Sequence, residues 1–153
     1  MVWSCFGAGD LGPSVFIDGN INQKFYIDVL PQYYIPWVLD LYRNEDKTLT
    51  FQEDNATCHT RTYAKWWKRP HSMNVMKKWP VQSPDLNPIK HVTSELACKL
   101  RRRKNLIHNT EDHRRKLLLA WENIDAEFTA KLIESTPRRC QAVIDSKRDV
   151  TKY

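Results

Sequence analysis

The dipeptide Asn87-Pro88 is the sharpest constraint on how this chain folds. An asparagine side chain satisfies an orphan N–H of a first helical turn, and proline suits the first helical position, where a backbone donor is not needed. A helix is therefore predicted from Pro88 to about Lys104. Upstream the pattern changes. Val2-Trp3-Ser4-Cys5-Phe6 reads as a strand, Gly7 to Gly12 as a turn, and Val15-Phe16-Ile17 as a second strand ended by Asp18-Gly19, which together make a hairpin. Phe25, Tyr26, Val29, Leu30, Val38, Leu39 and Tyr42 recur near helical spacing. Pro31 and Pro36 interrupt that run, so a broken or kinked helix is expected. Thr48 to Gln52 alternates like a strand, Arg61 to Lys68 suits a helix, Met73 to Trp79 is a weaker strand and Pro80 to Pro88 a loop. Thr110 is expected to cap a further helix whose Leu117, Leu118, Trp121 and Ile124 face the core. A last helix, about Asp125 to Glu134, leads to a basic tail. Strands mixed with helices, then helices alone, predict an α/β domain with a mixed sheet.

Length and composition narrow the class. At 153 residues there is room for one domain with a real core. Six Trp and six Tyr argue for a folded chain. Lys and Arg exceed acids by 24 to 18, and the surplus concentrates between Lys90 and Lys116, including the run Arg101, Arg102, Arg103, Lys104. Such a surplus favours a polyanionic partner without requiring one. Cys5, Cys58, Cys98 and Cys140 lie far apart with no CxxC pair, a spacing that suits neither a zinc site nor a disulfide scaffold and fits a reducing compartment. No apolar stretch approaches the length of a membrane span, and the N-terminus lacks the pattern of a signal peptide. The expected location is cytosolic or nuclear.

Two words carry more specific chemistry: Gln52-Glu53-Asp54-Asn55-Ala56-Thr57-Cys58-His59 and Trp79-Pro80-Val81-Gln82-Ser83-Pro84-Asp85-Leu86-Asn87-Pro88-Ile89. They are similar to the QDNAxxH and WPxxSPDLNPIE signatures of mariner-superfamily (Tc-like) DNA transposases. Val2 to Phe6, Gly12-Pro13, Phe16 to Gly19 and Pro137 to Ile144 match the family pattern in the same order, so the resemblance covers essentially the whole chain. It implies a ribonuclease-H-like mixed sheet flanked by helices, with a partial catalytic domain at residues 1–104 and a C-terminal helical extension at 105–153. It also implies DNA cleavage and strand transfer at a pair of Mg²⁺ or Mn²⁺ ions held by three carboxylates. Hard divalent ions take oxygen ligands, and a pair of them stabilises both the attacking and the leaving oxygen of a phosphoryl transfer.

The second carboxylate of the family maps onto Asp54. In isolation an Asp-Asn pair reads as a turn that caps the next segment; the flanking words favour the metal ligand. The third should directly succeed Asn87-Pro88-Ile89, and that residue is Lys90. Thirty-five residues separate the two positions, one more than the family's usual interval in this branch. Glu95, about 140° further around the helix, is expected to face elsewhere. A unit charge ~4 Å from a divalent ion is worth roughly 8 kcal/mol at an effective dielectric of ~20. Lysine reverses the sign of that interaction, and it also opposes the helix dipole at a third helical position, where glutamate would complete a capping box. The resemblance places the first central strand, with its carboxylate, before Met1; neither Asp10, in a turn, nor Asp18, at a strand end, replaces it. Without that strand a marginal domain is expected, or one whose strands re-pair directly or across a dimer. Upstream helix-turn-helix modules, and with them sequence-specific DNA recognition, are expected to be absent.

The remaining candidates are weaker. His59 is read as closing a turn and starting a helix rather than touching DNA. Trp66-Trp67 is read as core packing plus one half-exposed ring rather than a base-stacking platform. Arg101 to Lys104 suit phosphate contacts and, equally, a solvated helix end. The leading expectation is a transposase portion that no longer cuts DNA, nuclear, or cytoplasmic if inert. The alternatives are a non-catalytic module binding DNA non-specifically and a living nuclease completed by a partner chain, with homo-oligomers open in each case.

Overall fold

The structure, a computed structural model, describes residues 1–7, 9–41, 49–70, 73–76, 86–102 and 107–146. It opens with a two-stranded sheet of β1 (Val2–Phe6) and β2 (Leu11–Phe16). Gly7 N–H donates to the Asp10 carbonyl at 2.8 Å, and Gly9 takes the left-handed φ of +94° that the reversal requires. The second strand begins at Leu11, earlier than Val15-Phe16-Ile17 suggested, and contains Pro13. A strand with one paired edge tolerates a proline whose missing donor faces away from the ladder.

The chain divides into two compact units, Met1–Trp3 with Ile17–Gln82 and Ser4–Phe16 with Ser83–Tyr153. In the first, Met1 and Ile17 exchange backbone hydrogen bonds of 2.9 Å in both directions. Where a broken or kinked helix is expected, three helical segments follow one another without a gap: α1 (Gln23–Val29), a π-helical turn (Leu30–Tyr34) and α2 (Ile35–Leu41). Asn22 caps the first, its side-chain oxygen accepting from Phe25 N–H at 2.9 Å. Pro31 has no N–H and its ring crowds the carbonyl four residues back. The helix responds by widening, and Ile35 N–H reaches the Leu30 carbonyl, five residues back. Tyr26, Ile27, Val29, Leu30 and Tyr34 are buried. Leu39, expected on the apolar face, is exposed, and Tyr42 lies outside the described residues.

Among the described residues, two expected strands meet at one parallel bridge, Phe51 to Val75. Phe51 N–H donates to the Asn74 carbonyl at 2.8 Å, and Met76 N–H to the Phe51 carbonyl at 3.1 Å. Thr48 and Lys77 to Trp79 lie outside the described residues. The helix expected over Arg61–Lys68 is α4 (Thr62–Lys68), and a one-turn helix not expected from the sequence, α3 (Thr57–Thr60), precedes it with Arg61 extended between the two.

The second unit is built on α5 (Pro88–Arg102), α6 (Thr110–Glu122), α7 (Ala126–Glu134) and α8 (Thr136–Asp145). Helix α5 starts at Pro88, as its dipeptide requires. The cap of α6 is Asn109 rather than Thr110, with its side-chain oxygen accepting from Asp112 N–H at 2.8 Å. Asp112 reaches back to His108 N–H at 3.2 Å, so that two donors at the helix start are satisfied reciprocally. Val92, Leu96, Ala120, Trp121, Ile124 and Leu132 form the core, joined by the half-buried Phe6, Leu11, Ile89 and Phe128. Leu117 and Leu118, expected in that stripe, are half-buried. The Trp121 indole N–H donates to the Gly12 carbonyl at 2.9 Å. The residues expected as a basic tail fold into α8, where the buried Arg139 donates through Nε to Ser135 Oγ at 2.7 Å. Its Nη1 donates to His91 Nε2 at 2.6 Å, an acceptor only in the tautomer that carries its proton on Nδ1.

A Cβ at Gly12 would collide with Cys5 Sγ and sit 2.8 Å from the Cys5 carbonyl oxygen. Gly12→Ala is therefore expected to destabilise the fold by about 1–3 kcal/mol in urea unfolding. Cys5→Ala should recover only part of the loss, since the backbone oxygen stays in the way. Burial pushes the Cys5 thiol up to about 12. In the folded protein at about pH 8 it should resist thiol reagents that modify the exposed Cys140.

Candidate functional site

Asp54 lies three residues beyond the Phe51 bridge, in the turn that enters α3. Its Oδ1 accepts from Ala56 N–H at 3.0 Å, the aspartate turn that starts many helices. The same oxygen lies 3.0 Å from His59 Nδ1. That nitrogen is also 3.3 Å from the Asp54 carbonyl, and facing two acceptors it carries the proton. The His59 ring packs against Tyr26 with centroids 4.5 Å apart. His59 thus closes the turn, as expected of it, but lies within α3 rather than starting it, and it touches the carboxylate as well. The Cys58 thiol beside it is pushed up by burial and then by the Asp54 carboxylate, which holds it protonated.

Beneath this turn lies a part-buried ionic cluster. Glu53 Oε1 pairs with Lys68 Nζ, and Tyr26 donates its hydroxyl proton to Glu53 Oε2 at 2.6 Å. Lys68 is 4% exposed. Its ammonium also donates to the His59 carbonyl at 3.2 Å and lies 5.1 Å from the centre of the Tyr26 ring. Burial, and then the Glu53 carboxylate, push the Tyr26 hydroxyl far above its ordinary value, so it remains a donor.

In the other unit, Lys90 is the third residue of α5 and is exposed, and the first turn of that helix contains no acid. Its N–H donates to the Asn87 carbonyl at 3.0 Å, and its carbonyl accepts from Thr93 and Ser94 hydroxyls at 2.9 and 2.8 Å. Glu95 pairs with Lys99 at 3.8 Å, along its own face of the helix. Arg101 and Arg102 are exposed at the end of α5; Arg103 and Lys104 lie outside the described residues.

No protein-family model matches the chain. The Tcb1 transposase of Caenorhabditis briggsae is 38% identical over 153 residues, the whole of this chain and 54% of that protein. The Tc1 transposase of Caenorhabditis elegans is 36% identical over the same span, again 54% of its length. The chain is homologous to the Tc1/mariner transposases. It spans about half the length of the curated relatives it matches. Among solved structures, the Mos1 transposase catalytic domain with raltegravir and Mn superposes with a TM-score of 0.84 at 19% identity, covering 99% of this chain and 76% of that one. The Mos1 paired-end complex with the left transposon end gives 0.77, covering 99% and 44%. The fold of this chain is thus the α/β, ribonuclease-H-like fold of that catalytic domain.

The Glu53–Lys68–Tyr26 cluster was not legible in the sequence. Its members are 15 and 27 residues apart, and nothing local marks them, although a lysine inside a tight helix between aromatic residues is a signal that could be sought. Lys68→Met leaves the part-buried Glu53 without its cation, at a cost of up to the roughly 3–5 kcal/mol that removing one partner of a fully buried pair carries. Adding Glu53→Gln should restore most of that stability in chemical unfolding. Full additivity of the two losses would contradict the pairing.

Proposed function

We propose that this chain is a catalytic-domain portion of a Tc1/mariner-type transposase that has lost DNA cleavage. The observation that carries the reading is Lys90, which comes directly after an intact Asn87-Pro88-Ile89 and so takes the place of the third carboxylate. Asp54 takes that of the second. Metal-dependent strand chemistry in relatives of this kind is consistent with the Mos1 catalytic domain having been solved with Mn and with Mg. The donor set here does not fit such a pair of ions. Among the described residues no group of three His, Cys, Asp or Glu could hold a metal, and Asp54 Oδ1 is already shared by Ala56 N–H and His59. An ammonium in place of a carboxylate opposes two divalent charges rather than neutralising them.

A second reading, a non-catalytic module that binds duplex DNA through phosphates, is favoured by the exposed Arg101 and Arg102 closing α5. Such contacts need clustered positive charge and no particular sequence. A chain that binds DNA belongs in the nucleus and an inert one fits the cytoplasm as well; both readings are compatible with an assembly of further copies. No helix among the described residues is long and apolar enough to cross a membrane.

Supercoiled plasmid incubated with Mn²⁺ and this chain is expected to stay unnicked. Metal-dependent nicking abolished by Asp54→Ala would overturn the inactive reading. Lys90→Glu removes a cation and supplies a carboxylate, so it should raise Mn²⁺ affinity at least about tenfold, and Asp54→Asn should cancel the gain. Equal affinities in wild type and Lys90→Glu would place Lys90 outside any metal site.

A further inference from the structure

Helix α4 carries a surface that neither reading uses. Tyr63 and Trp66, three residues apart and so on one helix face, stack with ring centroids 5.8 Å apart and planes 15° from parallel. They are 45% and 62% exposed. Single exposed aromatics are common; a stacked pair held out in water is not the arrangement burial would choose. The partner of Trp66 is Tyr63, not the neighbouring Trp67, which is half-buried. The pair lines an open cavity of about 540 Å³ together with Arg61, Thr60, Thr62 and Gln23, within the range of ligand-binding clefts.

The segment that carries it has charged residues of one sign only. From Asn55 to Pro84 the sequence contains no Asp or Glu, but it contains Arg61, Lys65, Lys68, Arg69, Lys77 and Lys78. Lys68 is engaged by Glu53. Among the described residues no hydrogen bond or ion pair engages the side chains of Arg61 or Lys65, and both residues are exposed. Aromatic faces beside available cations, with amide and hydroxyl groups on the wall, are what an unpaired nucleic-acid strand recognises: bases stack on the rings and phosphates meet the cations. A duplex cannot use the ring faces, because its own base faces are already stacked. A protein partner would be free to use such a surface too, but the thirty-residue absence of carboxylates favours a polyanion.

We propose that Tyr63 and Trp66, flanked by Arg61 and Lys65, form a stacking platform for single-stranded DNA. The inference does not depend on whether the chain cleaves DNA. Anisotropy of a labelled oligothymidylate, titrated with the full chain at fixed low salt, tests it alongside a duplex of equal length. Trp66→Ala should weaken single-strand binding by about 5- to 100-fold and leave duplex binding unchanged. Trp66→Phe should retain most of the affinity, and Arg61→Ala should weaken binding and flatten its salt dependence. Trp66 is exposed, so an unchanged circular dichroism spectrum is expected of each variant. Unaltered single-strand affinity in Trp66→Ala, or an equal loss on duplex, overturns the proposal. Tighter binding of oligouridylate than of oligothymidylate assigns the platform to RNA, and self-association that Trp66→Ala abolishes assigns it to a second copy; either result overturns it.

Discussion

Among the described residues of the first unit the Lys68 ammonium is the costliest group to bury, and the arrangement around it results from that cost. A buried cation needs an anion and further acceptors, or the fold loses several kcal/mol. Glu53 supplies the charge, the His59 carbonyl a second acceptor, and the Tyr26 ring a face of negative potential. Each comes from a different element: the segment after the Phe51 bridge, α3, and α1. Satisfying one ammonium therefore draws three elements together. It also fixes the backbone on either side of Asp54, since Glu53 precedes it and His59 closes its turn. Such a pair specifies an arrangement more than it stabilises one.

The second unit obeys a constraint of shape instead. Trp121 belongs to the core of α5, α6 and α7 and places its indole N–H on the carbonyl of Gly12, in β2. That contact requires the strand to lie close, and closeness is possible because position 12 carries no side chain against Cys5. Gly12 and Trp121 are thus coupled across 109 residues of chain. The Arg114 guanidinium 5.4 Å from the centre of the Phe16 ring adds a contact further along the strand.

What could be read from the sequence was what local chemistry determines. Helix α5 begins at Pro88 because a ring with no donor suits the first helical position, and the strand at Val2 arises from side chains that suit a pleated surface. Thr110 lost the cap to Asn109 by one residue, since both side chains can accept a hydrogen bond and the backbone turn decides between them. Pro31 reads as breaking or kinking the helix, but whether a helix breaks or widens depends on packing, and the burial of Tyr26, Leu30 and Tyr34 favours an unbroken passage through the π turn. Helix α8 was hidden by its arginines: Arg139 reads as a tail residue until Ser135 and His91 are available to accept from it. The Asp54 turn was legible as a word, whereas the Glu53–Lys68 pair beneath it was not, because partners distant in sequence leave no periodicity.

The same separation of local from distant causes bears on Lys90. Its cost to folding is small: a cation in a first helical turn opposes the dipole by about 0.3–1 kcal/mol when exposed. The helix is started by Asn87 and Pro88 and anchored by Val92 and Leu96, none of which depends on the charge at position 90. Set against the roughly 8 kcal/mol that a unit charge contributes beside a divalent ion at ~4 Å, the difference is an order of magnitude. A lysine there can therefore be carried by a chain that still folds, while any metal chemistry relying on that position cannot. Under the proposed reading, fold and activity come apart at this residue because the forces that build the one are short-ranged and satisfied elsewhere. The other requires a particular sign of charge at one point.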